Sequence, residues 1–289
     1  MLPKIKKQAI ASVSEVCGCF GLKRDAYYKY LRRAKKKEQV VSRVIELVQN
    51  ERKDQPRVGT RKLYEALSPA FMVEELNLGR DKLFDILREH DMLIKRKKNY
   101  CKTTDSHHRF HKYNNLIKDM EVSAPNQVWV SDITYIATKG GWLYLTVFLD
   151  LFSRMVVGWA LSSSLSTQMV LTALYRGIRA RRPGPGLIIH SDRGVQYACK
   201  EFRQVLEKHN FVQSMSRKGD CWDNAVAESF FGILKSELIH HERFKGPEDT
   251  LKAIFEYIEV YYNRKRKHST LNYQTPVQYE HAVRSAVCF

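Results

Sequence analysis

Cysteine is sparse in this chain and poorly arranged for metal binding. The six cysteines include no C-x-x-C pair, and Cys17-Gly-Cys19 is too tight for common zinc spacing. A zinc module and a disulfide framework are set aside, and reduced thiols in a cytoplasm are expected. Long apolar runs are missing as well. No stretch approaches the roughly 20 residues that span a bilayer, and the opening Met-Leu-Pro-Lys-Ile-Lys-Lys lacks the apolar core of a signal peptide. The basic segments are not joined to a lipid-seeking face either, so no membrane partner is expected. Acidic residues are in short supply, with 31 Asp and Glu against 49 Lys and Arg, a formal charge of +18 over 289 residues.

That surplus is uneven. Residues 1–112 carry 27 Lys and Arg against 14 Asp and Glu, while residues 113–289 carry 22 against 17. A nucleic-acid-binding N-terminal half ahead of a more neutral catalytic body is one expectation, and a merely soluble basic protein is the other.

The apolar spacing before residue 112 is mostly helical. Ser14–Leu22 followed by Lys23–Arg33 reads as helix, glycine-containing turn, helix, the outline of a helix-turn-helix. A second such outline follows a helix at Val40–Glu51. Gly59-Thr60 opens a helix over Thr60–Leu67, Pro69 breaks the chain, and Arg80–His90 forms another amphipathic helix. There Leu83, Phe84 and Leu87 would face inward, leaving Arg80 and Lys82 to reach DNA. The run Lys95-Arg96-Lys97-Lys98 would add phosphate contacts. His107, His108 and His111 have no cysteine pair nearby and are taken as linker residues.

The period changes after residue 123. Val128–Ile136, Trp142–Asp150 and Met155–Leu161 read as strands, with Lys139-Gly-Gly141 turning the first pair. Helices and short strands then alternate: Ser166–Arg182, Leu187–Ser191, Lys200–Asn210, Phe211–Ser216, Asp223–Ile239 and Pro247–Asn263. The expected class is α/β, an RNase H-like core with a mixed sheet flanked by helices, preceded by an all-α region. The expected divisions are 1–38 and 39–98 (two helix-turn-helix-like segments), 99–122 (basic linker), 123–245 (catalytic core) and 246–289 (C-terminal helix and basic tail).

Three acids stand out. Asp132 is centred in the apolar run Gln127–Ile136, Asp192 ends the run Leu187–Ser191, and Glu228 lies in the helix that follows, 35 residues separating it from Asp192. A charged Asp in an apolar strand is costly without a compensating partner. At 100° per residue, Asn224, Glu228 and Lys235 fall within about 40° of one another, so the glutamate and the lysine point the same way. Carboxylates on rigid elements suit Mg²⁺, and two such ions about 3.5–4 Å apart serve both ends of an in-line phosphodiester displacement. Mn²⁺ is an acceptable substitute. Asp150 is the rival acid. With the hairpin turning at 139–140, Val147 opposes Asp132 and Asp150 projects from the other face, where it would organise the turn with Ser153 or Arg154. Asp220 and Asp223 read as helix caps. Ser191 has no nucleophile-elbow glycines, and its neighbour His190 faces the other side of the strand.

The motifs Trp129-Val-Ser-Asp-Ile-Thr-Tyr, Leu149-Asp-Leu-Phe-Ser-Arg, His190-Ser-Asp-Arg-Gly-Val-Gln-Tyr, Cys221-Trp-Asp-Asn-Ala-Val-Ala-Glu-Ser-Phe-Phe and Tyr262-Asn-Arg-Lys-Arg-Lys-His-Ser-Thr-Leu carry a resemblance. The chain resembles the OrfB transposases of the IS-three group of bacterial insertion sequences, within the retroviral-integrase-like superfamily of D-D-E recombinases. The resemblance implies that Asp132, Asp192 and Glu228 are the catalytic metal ligands and that Lys235 contacts DNA. It implies Mg²⁺-dependent cleavage at element ends, then strand transfer by the freed 3′-hydroxyl. Further implications are terminal-repeat and target DNA as partners, a homo-oligomer in a synaptic complex, a fusion with an upstream-frame product, and a cytoplasmic, nucleoid-associated location. The His-His-Cys-Cys module of the retroviral relatives is missing here. The alternative expectation is a DNA-binding regulator, inactive without its fusion partner.

Overall fold

The computed structural model describes residues 12–94, 113–216 and 225–287, the last four of these in backbone only. The chain forms two compact units, Met1–Ile94 and Lys95–Phe289.

Among its described residues the first unit contains helices and no strands. Ser12 begins α1 (Val13–Cys19) with a capping box, its hydroxyl and the Glu15 carboxylate each meeting the other residue's N–H. Gly21 at φ +63° turns the chain into α2 (Arg24–Asp54). The sequence suggests two helices over this stretch, whereas α2 runs on for 31 residues. The intervening Ala34-Lys-Lys-Lys-Glu-Gln39 contains no glycine or proline, and its strong helix formers carry the turns through. The second departure is α3 (Thr60–Val73), which continues past Pro69. Proline lacks the N–H that would bond to Glu65 O, and the Ser68 hydroxyl supplies a donor to that carbonyl at 3.3 Å. Burial of Leu67 and Phe71 on either side holds the extra turn. In α4 (Arg80–Glu89) the inward residues are Leu83, Ile86 and Leu87. Ile86 takes the place expected for Phe84, which is only half-buried. These three pack with Val44, Val48, Leu63 and Phe71 into one core.

The second unit is built on a sheet of five strands in the order β3-β2-β1-β4-β5. Strands β1 (Val128–Thr138), β2 (Gly141–Asp150) and β3 (Val156–Ser162) are antiparallel. Helix α5 (Thr167–Arg181) crosses over to β4 (Ile188–Ser191), which pairs parallel with β1. The short α6 (Val195–Ala198) and α7 (Lys200–Lys208) lead to β5 (Val212–Met215), parallel to β4. One sheet face packs Trp129, Phe148 and Ile189 against α5 and α7. The other packs Val128, Val130, Val147 and Leu149 against α8 (Ala225–Glu237), α9 (Pro247–Phe255) and a π-helical continuation, Glu256–Tyr262. A final α10 (Pro276–Val287), which the periodicity does not single out, closes the unit. Strand β3 and α5 meet almost backbone to backbone, since a Cβ on Gly158 would stand 2.3 Å from the Ala173 carbonyl oxygen.

Candidate active site

Strand pairing brings the first two acids side by side. Asp132 opposes Val147 across the antiparallel ladder, as the hairpin register requires. On its other flank β1 runs parallel to β4, and the last pair is Ser131↔Ser191. Asp132 and Asp192 therefore each follow a residue of the same rung, on neighbouring strands about 4.8 Å apart. Beyond that rung β4 ends, and β1 continues to Thr138 with no strand paired on that flank among the described residues. Sequence patterning cannot supply this parallel register, because it arises from a crossover through α5.

Local bonds fix both carboxylates. Asp132 Oδ1 accepts from its neighbour Ile133 N–H at 2.8 Å. Asp192 Oδ1 accepts from Gly194 N–H at 3.0 Å, and a Cβ on Gly194 would press against that same oxygen at 3.0 Å. Glycine keeps the approach open. Glu228 is exposed in the first turn of α8, and Lys235 follows two turns later.

The electrostatics tie the cluster together. Burial is the main reason that Asp132 is pushed up to about 8, and the charges of Asp192 and Glu228 push in the same direction. The Ile133 N–H and Lys235 oppose the rise. Asp132 thus senses both other acids and the lysine. Among the described residues, no three His, Cys, Asp or Glu side chains converge into one ready coordination shell. The donor set still fits a hard divalent cation, which takes carboxylate oxygens from the protein and keeps waters or substrate oxygens for the rest. A half-buried acid pressed upward by two like charges is the environment that such a cation relieves.

Tyr197, on no candidate list from sequence, sits beneath the acids. Its buried hydroxyl meets Ser131 Oγ at 2.8 Å. Burial, then the charges of Asp192 and Asp132, raise this phenol well above its ordinary value, so it stays protonated. Its place at the end of the His190–Tyr197 motif was the available signal.

The rival acid has a different task. Asp150 is fully buried, and its Oδ1 accepts from the N–H groups of Phe152 and Ser153 and from the Ser153 hydroxyl. Its Oδ2 accepts from Asn126 N–H at 2.6 Å. It organises the β2–β3 turn. The His190 ring bonds with the hydroxyls of Ser214 and Ser216, and the Ser191 hydroxyl donates to Asp192 O.

The basic candidates divide. Arg80 and Lys82 are exposed on α4, the former bridged to Asp81 at 2.9 Å. Lys95, Arg96, Lys97 and Lys98 lie outside the described residues, as do Asp220, Asp223, Asn224 and the three linker histidines. In the run Arg264–Lys267, Arg266 is unsuited to DNA because it is buried and paired with Glu237 at 2.9 Å. Tyr257 Oη donates to the same carboxylate at 2.8 Å. Glu237 is on α8, so this buried pair anchors the helix that carries Glu228 and Lys235. Among the described residues, no helix is long and apolar enough to cross a membrane.

Comparison with known proteins identifies the family. Two family models, each described as Integrase core domain, match residues 122–221 and 228–283. The "Insertion element IS600 uncharacterized 31 kDa protein" of Shigella sonnei is 36% identical over 267 residues, covering 91% of this chain and 97% of that protein. "Transposase InsF for insertion sequence IS3A" of Escherichia coli K12 is 45% identical over 167 residues, covering 58% of each chain, so the match spans little more than half of that transposase. The HTLV-2 integrase catalytic core domain, solved in complex with magnesium, aligns with a TM-score of 0.44 at 20% identity over 55% of this chain and 98% of that one. The near-complete match to the IS600 protein and the two integrase-core matches carry the conclusion: this chain belongs to the IS3-group transposases of the retroviral-integrase-like superfamily.

Proposed function

We propose that this transposase cuts and joins DNA at a single centre formed by Asp132, Asp192 and Glu228. The observation that carries the reading is the shared rung of β1 and β4, which sets Asp132 beside Asp192 within electrostatic reach of Glu228 and Lys235. The three carboxylates would hold two Mg²⁺ ions, with Mn²⁺ as a substitute, and these supply activation of the attacking oxygen and stabilisation of the leaving one. Asp132, within β1, and Asp192, directly after the end of β4, fix the position of the reacting phosphate. Glu228 approaches from α8, and Lys235 on the same helix meets a neighbouring DNA phosphate as a point charge. Water attacks first at the element end, and the 3′-hydroxyl so freed attacks target DNA next. No covalent link to the protein is needed.

Arg80 and Lys82, with Lys95, Arg96, Lys97 and Lys98, would hold the terminal repeat through its backbone. A homo-oligomer pairs two ends in the synaptic complex, with an upstream-frame fusion supplying further DNA contacts, in the cytoplasm at the nucleoid. Asp192→Asn is the direct test. Mg²⁺-dependent cleavage and strand transfer should vanish while DNA binding persists, and a variant that still transposes would remove the assignment.

A further inference from the structure

Away from the acids, the free length of β1 leads to an aromatic and basic surface that the reaction has not used. Ala137 pairs with Trp142 across the hairpin, five residues beyond Asp132, or about 16 Å along the strand. Trp142 is 55% exposed, unusual for the largest apolar side chain. Its ring stands edge-on to Tyr135, with centroids 5.0 Å apart and planes at 85°. The ammonium of Lys235 lies 5.2 Å from the Tyr135 ring centroid. By strand parity Tyr135 and Trp142 project from the sheet face opposite Asp132, and Lys235, which acts on Asp132, also reaches the Tyr135 ring.

The hairpin tip is also basic. Lys139 N–H donates to Phe244 O at 3.0 Å, which fastens the turn to the segment after α8. Lys139, Arg243 and Lys245 are all exposed around that junction, with Glu242 and Asp249 as acidic residues among them, the Asp249 carboxylate accepting from Lys245 N–H at 3.1 Å. Phenyl and indole faces interleaved with cations form the kind of surface that tracks a nucleic-acid backbone and stacks its bases.

We infer that the β1–β2 hairpin is a binding site for an unpaired stretch of the DNA strand next to the reacting phosphate. Trp142 stacks a nucleobase there, while Lys139, Arg243 and Lys245 hold the flanking phosphates. An indole can stack only on a base whose face is open, so the occupant is a frayed or single-stranded segment and not intact duplex. The inference rests on reading the carboxylates as the reacting centre.

The test uses the full chain, without divalent cation so that nothing is cut. Fluorescence anisotropy would compare a labelled blunt duplex with a forked one of equal length. The wild-type chain should prefer the fork. Trp142→Ala should weaken fork binding by roughly 5- to 150-fold, the span of one base–aromatic stack, and leave blunt-duplex binding within about twofold. Trp142→Phe should keep most of the preference. As a measurement on the unaltered protein, 2-aminopurine in the fork arm should be quenched on binding.

Absence of fork preference, absence of quenching, or equal loss on both DNAs with Trp142→Ala would overturn the inference. Any of these could occur while cleavage still depends on Asp192. Conversely, if the Asp192→Asn protein still cuts, the acid assignment falls while the fork preference can stand.

Discussion

Replacing Asp132 with asparagine should stabilise the metal-free protein, because the native carboxylate is held in a place that disfavours its charge. An ordinary Asp titrates near 3.8, and burial with Asp192 and Glu228 raises Asp132 to about 8. In the unfolded chain this group is ionised at neutral pH, whereas the metal-free fold requires it protonated. The sign follows directly. Below about pH 4 both states hold the proton and no penalty exists. The penalty grows as pH rises from about 4 to about 8, then levels off, and at pH 7 it amounts to up to about 4 kcal/mol. Asparagine removes the charge yet keeps an oxygen that can accept the Ile133 N–H. Thermal unfolding in a chelator at pH 7 should show the Asp132→Asn variant melting higher by on the order of 10 °C for a unit of this size. The gap should close near pH 4. Adding Mg²⁺ should raise the midpoint of the native protein far more than that of the variant. A variant that melts at or below the native protein at pH 7 in chelator would refute the reasoning, as would a gap independent of pH.

Removing the anchor of α8 should be costly. Arg266→Ala leaves the half-buried Glu237 carboxylate without its main counter-charge and should destabilise by about 3–5 kcal/mol in urea titration, whereas replacing Glu237 and Arg266 together with apolar residues of similar volume should recover most of that loss. On the N-terminal unit, Lys82→Ala should lower the slope of log affinity against log salt by about 0.9 if its ammonium neutralises one phosphate. An unchanged slope in a filter-binding or anisotropy series would remove Lys82 from the DNA contacts.

Much of the site was legible because strand parity is strict. The hairpin turn at Lys139-Gly140 sets Asp132 opposite Val147 and sends Asp150 to the other face, which separates the two acids before any coordinates are needed. The parallel neighbour was not legible, since β1 and β4 are joined through a helix and their relative slide is a property of packing. Local rules failed where a side chain replaced a missing backbone group, as Ser68 does beside Pro69. Charge alone also does not reveal exposure. Arg266 looks like its neighbours Arg264, Lys265 and Lys267, and only the fold shows that it is turned inward onto Glu237. The Tyr135–Trp142 pair was hidden for a related reason, because aromatic residues in a strand ordinarily signal core.

The early end of β4 has a geometric consequence for an enzyme that works on a stiff polymer. A duplex cannot thread into a pit as a small substrate can, so its scissile bond must be met on a ledge. Where β4 stops after Ser191 and β1 runs on to Thr138, the sheet has such a step, and Asp132 stands at its lip. The paired rung behind it supplies stiffness. Inserting two residues into β4 would fill the step and carry Asp192 out of line with Asp132.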